Sequence, residues 1–285
     1  PIPFVTYEEL PSGARQSRAD YTYGYAEALR DNVVRPVIFM AYGGPMRWRT
    51  KAGDVLAANL GEALTKDLTA HAWRTALDPK GEWMTSVLKA ADIRLTEVRR
   101  HVPDAGGLVI ATNQTQARSY AKILHHITGH KPTVVLSDEE GASKRIEKFS
   151  ESEDRWMVAV RMVSEGVDVP RLSVGVYATA TSTPLFFAQA VGRFVRTRRR
   201  GEVATVFLPT VPVILSHAAL LEQQRDHILG GRKKGDDDLW AQEDAMIAEA
   251  NQNEKASDDL LGEWEALESV AQFDHVMFDS QQFGL

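Results

Sequence analysis

Residues 183–201 read T-P-L-F-F-A-Q-A-V-G-R-F-V-R-T-R-R-R-G. Arginine is planar, permanently charged and forked, so it suits two-point contact with phosphate oxygens. Pro184 fits the first turn of a helix. At about 100° per residue, Gln189, Gly192, Arg193 and Arg196 fall on one face, and Phe187, Val191, Phe194 and Val195 on the opposite one. The spacing predicts a helix with a greasy side in a core. Its other side offers an amide, two guanidiniums and a glycine that admits close approach. Arg198, Arg199 and Arg200 follow, and Gly201 reads as a stop. Phosphate binding is one chemistry for this face. A solvated basic helix end, where cations complement the helix dipole, is the other.

A second stretch, W-M-V-A-V-R-M-V-S-E-G-V-D-V-P over 156–170, ends an apolar strand near Val160 and enters a polar turn. Gly166 could bring a ligand close to the backbone. Asp168 could accept hydrogen bonds from ribose hydroxyls, as acidic residues do in other nucleotide sites. The competing reading is a tight G-V-D-V-P turn in which Asp168 bonds its own backbone. His71 and His101 stand alone and read as structural or surface side chains. The chain has no cysteine, which excludes disulfides and thiolate metal sites, and no metal site is expected.

These residues need elements to hold them. From Gly106 onward strands and helices alternate. Strands are predicted at 108–111, 133–136, 156–160, 172–178 and 203–208. Helices are predicted from a Thr112 or Asn113 cap to about 127, at 141–149, and through the arginine-bearing segment. Such alternation implies an α/β fold, with a mainly parallel sheet and helices on both faces. Ligands of such sheets meet the loops at the carboxyl ends of the strands. Ahead of this, 20–30 suits a helix, 33–41 a buried strand flawed by Pro36, Gly43-Gly44-Pro45 a turn, and 46–50 a short strand. Leu56, Leu60, Leu64 and Leu68 recur every four residues and predict a helix, as does the apolar pattern over 82–101 beyond Asp78-Pro79-Lys80-Gly81. Later come a helix over 213–229 and a linker at 230–238. Helical spacing spans 239–270 with Trp240 and Trp264, and a docked or loose end begins at Phe273.

Taken together, E-G-V-D-V-P and, one strand later, Q-A-V-G-R-F-V-R resemble the fifth and sixth motifs of superfamily 2 helicases and translocases. The family forms are roughly G-x-D-x-P and Q-x-x-G-R-x-x-R. Gly166, Asp168, Pro170 and Gln189, Gly192, Arg193, Arg196 stand at those positions, and L-V-I-A-T-N over 108–113 resembles the fourth motif. Gln189 in place of His makes the DEAH-like and restriction-enzyme-like branches the nearest. The resemblance covers about residues 105–210 and implies a RecA-like sheet flanked by helical segments. It implies that Arg196 is an arginine finger and Arg193 a second phosphate contact. It also implies that Gln189 orients groups near the γ-phosphate or the partner domain, that Asp168 binds ribose and that the backbone near Gly166 lines the nucleotide cleft. Thr112 and Asn113 would touch the nucleic-acid backbone. Val160-Arg161-Met162-Val163 departs from the family, where Ser or Thr often contacts that backbone; Arg161 would substitute as a charge contact.

The family's other half is not here. No G-x-x-x-x-G-K-[ST] phosphate loop occurs, nor a D-E-A-D or D-E-x-H box. Asp138-Glu139-Glu140-Gly141 follows no phosphate loop and reads as a loop leading into a helix. The resemblance is therefore to a second RecA-like domain alone, with ATP and Mg²⁺ held mainly by an absent N-terminal RecA-like domain of the same protein. Pro1 in place of Met suits an excised piece, from which no ATPase is expected by itself. The implied partner is nucleic acid, DNA more than RNA. The alternative is a non-catalytic nucleic-acid-binding or regulatory module with a motor-like fold. A dinucleotide oxidoreductase fits poorly, because Gly106-Gly107 precedes a strand and no G-x-G-x-x-G joins a strand to a helix.

Charge supports the partner class once it is divided. The net charge is −6, but residues 231–285 carry 14 acidic against 4 basic side chains, so the rest carry about +4. The expected organisation is lead-in strands and a helical segment over 1–104, the RecA-like domain over 105–230 and an acidic helical tail over 231–285. No apolar run is long enough to span a bilayer and no signal peptide opens the chain, which suits a cytoplasmic protein.

Overall fold

In the run 37–42, Val37, Phe39 and Ala41 are buried and alternate with half-buried neighbours, the period-two pattern of a strand that packs one face. The computed structural model describes residues 7–9, 15–17, 24–62, 64–136, 141–160, 169–199, 201–229 and 264–277. Two short strands, β1 (Tyr7–Glu9) and β2 (Arg15–Ser17), pair with each other, and α1 (Tyr25–Arg30) precedes β3 (Val37–Thr50). There follow β4 (Val55–Leu60), α2 (Lys66–Ala76), α3 (Glu82–Arg99), β5 (Gly106–Ala111), α4 (Gln114–Thr128), β6 (Thr133–Val135) and α5 (Ala142–Glu151). The series ends with β7 (Trp156–Val160), β8 (Leu172–Ala178), α6 (Pro184–Gly192), β9 (Ala204–Pro209), α7 (Pro212–Leu229), β10 (Trp264–Ser269) and β11 (Gln272–Met277).

A nine-stranded sheet runs in the order β10-β3-β9-β8-β5-β7-β6, with β4 and β11 also on β3. The strands from β9 to β6, and the first half of β3, are mutually parallel. Gly43-Gly44-Pro45, expected to be a turn, lies within β3. The strand passes through because its partners change there on both sides. One edge pairs with β9 over 37–42 and with β4 over 44–49; the other pairs with β11 over 39–43 and with β10 over 46–50. Gly44 takes φ 122°, and a Cβ there would lie 2.0 Å from the Val270 carbonyl oxygen, so glycine permits the bend.

Two other expectations are corrected around β3. Leu56 and Leu60 lie on β4 and not on a helix, because a repeat of four satisfies the strand period of two as well as the helical one. Only Leu68 of that series falls within α2. Residues 264–269 form a strand where helical spacing was expected, and 272–277 dock as another. Both add to an edge of β3. The 230–238 linker, Trp240 and the helical spacing up to 263 lie outside the described residues, as do Asp138, Glu139 and Glu140. The sheet itself crosses residues 104 and 231, since β3 and β10–β11 belong to it.

Register separates the two faces. Ile38, Thr205 and Val174 are cross-strand neighbours, as are Phe39, Val206 and Gly175. The first set faces α3, whose Arg94 Nε donates to Thr205 Oγ1 at 3.1 Å. Trp156 lies on that side too, donating Nε1–H to Asp92 at 2.8 Å. The second set faces α6, where the Phe187 ring meets Phe39 at 6.0 Å and Tyr177 at 5.6 Å. Beyond Gly44 the sheet is covered by α2. There Trp48 is buried, His71 stacks on it at 5.8 Å, and Trp264 of β10 closes the stack edge-on at 6.3 Å. His71 is thus a packing residue, and His101 is exposed.

Candidate functional site

The parallel strands present two opposite edges, and the sequence-predicted residues divide between them. At the carboxyl edge, Thr112 and Asn113 follow β5. Asn113 Oδ1 accepts from Gln116 N–H at 2.9 Å and caps α4. Thr112 Oγ1 accepts from Ala180 N–H at 3.3 Å and so joins the ends of β5 and β8. The loop after β8 is secured by Tyr177, whose hydroxyl donates to Thr181 O at 2.6 Å, and by buried His217, whose Nε2 lies 2.9 Å from Ser182 O. Burial pulls the His217 pKa below the ordinary histidine value, opposed by its bond to Ser182. Arg161, Gly166 and Asp168 lie outside the described residues.

The arginine-bearing segment goes to the amino edge. Pro184 opens α6, as expected, and Thr183 caps it through its side chain, but the helix ends at Gly192 and not near Gly201. Arg193 N–H bonds Ala190 O and Phe194 N–H bonds Val191 O, each three residues back, so the last turn tightens and stops. The chain then extends. Arg35 N–H takes the Val195 carbonyl at 2.7 Å, and Arg196 bridges to Val34 just ahead of β3. The cause is tertiary: the Phe194 ring lies across Gly175, and β3 offers hydrogen bonds that a longer helix would forgo. Gln189, Gly192, Arg193 and Arg196 therefore do not share one helical face. Gln189 is exposed on α6, Arg193 is half-buried at its cap, and Arg196 is exposed on extended chain. Gly192 borders open space, since a Cβ there would meet no atom within 4 Å. It adjoins a cavity of about 290 Å³ with a mainly apolar lining that includes Tyr25, Phe39 and Val191.

Sequence reasoning missed the side chain that organises this edge. Arg35 is 2% exposed. Its Nε donates to Phe194 O at 2.8 Å, Nη2 to Leu172 O, and Nη1 to Ser173 Oγ at 3.4 Å and Glu202 Oε2 at 3.2 Å. Burial lowers its pKa and Glu202 opposes that shift. The available signal was a lone charge inside V-V-R-P-V-I-F-M-A. Glu202 also accepts from Arg198 N–H at 3.2 Å, and Arg198 grips Asp104 with Nη1 at 2.5 Å and Nη2 at 3.3 Å. Next along, Arg171 lies 3.9 Å over the Phe149 ring and donates to the carbonyls of Phe149, Asp104 and Asp154. Burial, with Arg99 adding to it, pushes the Arg171 pKa down to about 10, which leaves it cationic at neutral pH. The amino edge is thus a rail of alternating charge. Val169, which follows Asp168 in sequence, is buried, and its carbonyl accepts from Leu172 N–H at 3.1 Å.

Residues 95–198 match the family model of the helicase conserved C-terminal domain. The chain is 56% identical over 286 residues to an uncharacterized protein of Mycobacterium tuberculosis and 52% identical over 285 residues to one of Mycobacterium leprae. All of this chain is covered, but only 46% and 47% of those proteins, so it spans a little under half of their length. Among solved structures, a fragment assigned as the HsdR subunit of a type I restriction enzyme from Vibrio vulnificus superposes with TM-score 0.50 at 17% identity. That match covers 70% of this chain and 37% of the other and shows likeness of fold. Among the described residues, no helix is long and apolar enough to cross a membrane. Residues 95–198 are thus similar to the helicase conserved C-terminal domain, and the mostly parallel sheet between helices has the α/β fold of the restriction-enzyme fragment.

Proposed function

We propose that this chain is the second motor half of an ATP-dependent helicase or translocase acting on nucleic acid, DNA by expectation, and that it lends arginines to a nucleotide held mainly by another RecA-like domain of the same protein. The observation that carries this reading is the amino-edge convergence: Arg35 joins Leu172, four residues past Asp168, to Phe194, between Arg193 and Arg196. The residues suit phosphate in that Gln189 and Arg196 are exposed, Arg193 is partly so, and open space adjoins Gly192. ATP with Mg²⁺ supplies the γ-phosphoryl group that is hydrolysed, a reaction that needs positioning and charge neutralisation more than covalent help.

In this reading Arg196 is the arginine finger, setting a guanidinium against charge that develops on the γ-phosphate. Arg193 is a second phosphate contact and couples the nucleotide to domain closure. Gln189 orients groups near the γ-phosphate, Asp168 holds the ribose and Gly166 lines the cleft. At the opposite edge Thr112 and Asn113 meet the nucleic-acid backbone, helped by the N–H groups that open α4, and Arg161 adds a charge contact to that backbone. The two ligands thus sit at opposite ends of the same strands. The alternative, a non-catalytic phosphate patch over 193–200, is weakened by Arg198, whose guanidinium is engaged by Asp104.

The test uses a longer protein that includes the ATP-binding half. Arg196→Ala lowers nucleic-acid-stimulated turnover by about 10³–10⁵, while binding of a fluorescent ATP analogue stays nearly intact. Unchanged turnover in the folded variant overturns the assignment.

A further inference from the structure

Arg35 comes from outside the helicase-family segment 95–198, yet it touches that segment at two functional places. Phe194 lies between Arg193 and Val195. Holding its carbonyl, together with the Val195 carbonyl taken by Arg35 N–H, sets the direction in which Arg196 leaves the helix end. The same guanidinium holds Leu172 O and Ser173 Oγ at the start of β8, shortly after the G-V-D-V-P stretch in sequence. Glu202 fixes the plane of the guanidinium through Nη1, and its carboxylate is itself tied to the Arg198 N–H. The side chains of Arg35 and Glu202 are 1% and 9% exposed, so neither serves solvent. A planar fork can point donors in these several directions at once, whereas an ammonium on a flexible stem cannot.

We propose that Arg35, oriented by Glu202, is a positioning residue that sets Arg193 and Arg196 in register with the start of β8. This rests on the functional reading above. Arg35 touches neither nucleotide nor nucleic acid; it acts through the 193–196 backbone.

The experiment compares Arg35→Lys, Glu202→Gln, Arg196→Ala and the Arg35→Lys/Arg196→Ala double variant in the full-length protein. Foldedness is checked by circular dichroism. Folded Arg35→Lys loses turnover by about 10²-fold, the scale of a misplaced catalytic group, with little change in KM for ATP. The double variant turns over no more slowly than Arg196→Ala alone. Amide hydrogen exchange, which needs no activity, accelerates over 193–198 while β5 and β7 keep their protection. Folded Arg35→Lys with native turnover and native protection, beside an inactive Arg196→Ala, overturns the proposal; so does a double variant that multiplies the two losses. If Arg35→Lys does not fold, Glu202→Gln is judged by the same criteria. If Arg196→Ala itself leaves turnover unchanged, the functional reading falls, and the exchange measurement still decides whether Arg35 positions the segment.

Discussion

Gly175→Ala offers a sharp test of how the arginine segment is held. Gly175 lies on β8 beneath Phe194, and an added Cβ would sit 2.5, 2.8 and 2.9 Å from the ring's Cζ, Cε2 and Cε1 atoms. Ordinary carbon–carbon contact needs about 3.5–4.0 Å, so the ring must move by about 1 Å. It has little room, because Phe194 is 1% exposed and its backbone carbonyl is held by Arg35. Overpacking of this kind costs about 1–3 kcal/mol. At about 2–4 °C per kcal/mol for a domain of this size, the thermal midpoint falls by about 2–12 °C. Phe194→Leu alone also destabilises, by loss of ring contacts, but a smaller side chain leaves space for the new methyl. The double variant is therefore more stable than the sum of the single effects, with a coupling of about 0.5–3 kcal/mol. Circular dichroism melts of the four proteins measure the cycle. An unchanged midpoint in Gly175→Ala, or strict additivity in the double variant, refutes the view that Phe194 is pinned against the strand.

Two further outcomes follow from the same structure. Burial favours neutral imidazole at His217 and at His71, so the unfolded chain takes up protons first; stability is level above the ordinary histidine value of 6.5 and is lost as pH falls through it. Melting temperature against pH checks this, and His217→Gln flattens part of the slope. Removing residues 231–260, which leaves Trp264–Ser269 in place, tightens DNA binding in a filter or anisotropy assay if the acidic stretch shields basic surface; unchanged affinity counts against shielding.

Local signals in the sequence were strongest where period and punctuation agreed. The strands Trp156–Val160 and Leu172–Ala178 are short apolar runs between turn residues, and Asn113 stands where an α4 cap belongs. The end of α6 was not legible, because it depends on Arg35 and Gly175, more than a hundred and about twenty residues away from Val195 in sequence. Gly43-Gly44-Pro45 misled for a related reason. Those residue types mark turns when a strand keeps its partners, whereas here two sets of partners meet. Trp264 and Leu267 looked helical because a six-residue strand with one bulge has too little alternation to declare itself. Of the candidate site, the single helical face that the spacing predicts does not form, because α6 ends at Gly192 and Arg196 lies on extended chain.

The placement of β3 between β9 and the β10–β11 pair bears on how the chain is made. Apart from β4, which follows at once, its partners are distant: β9 is synthesised more than 150 residues later and β10–β11 more than 200 later. A nascent chain that has reached only α7 holds β3 with one long edge bare, the kind of edge that recruits other strands. Such distant pairings also slow folding, because loop closure precedes any gain from contact. The protein should therefore pass through a late, sticky stage that ends only when Trp264 reaches His71, and chains trimmed at residue 230 should aggregate in proportion to their concentration.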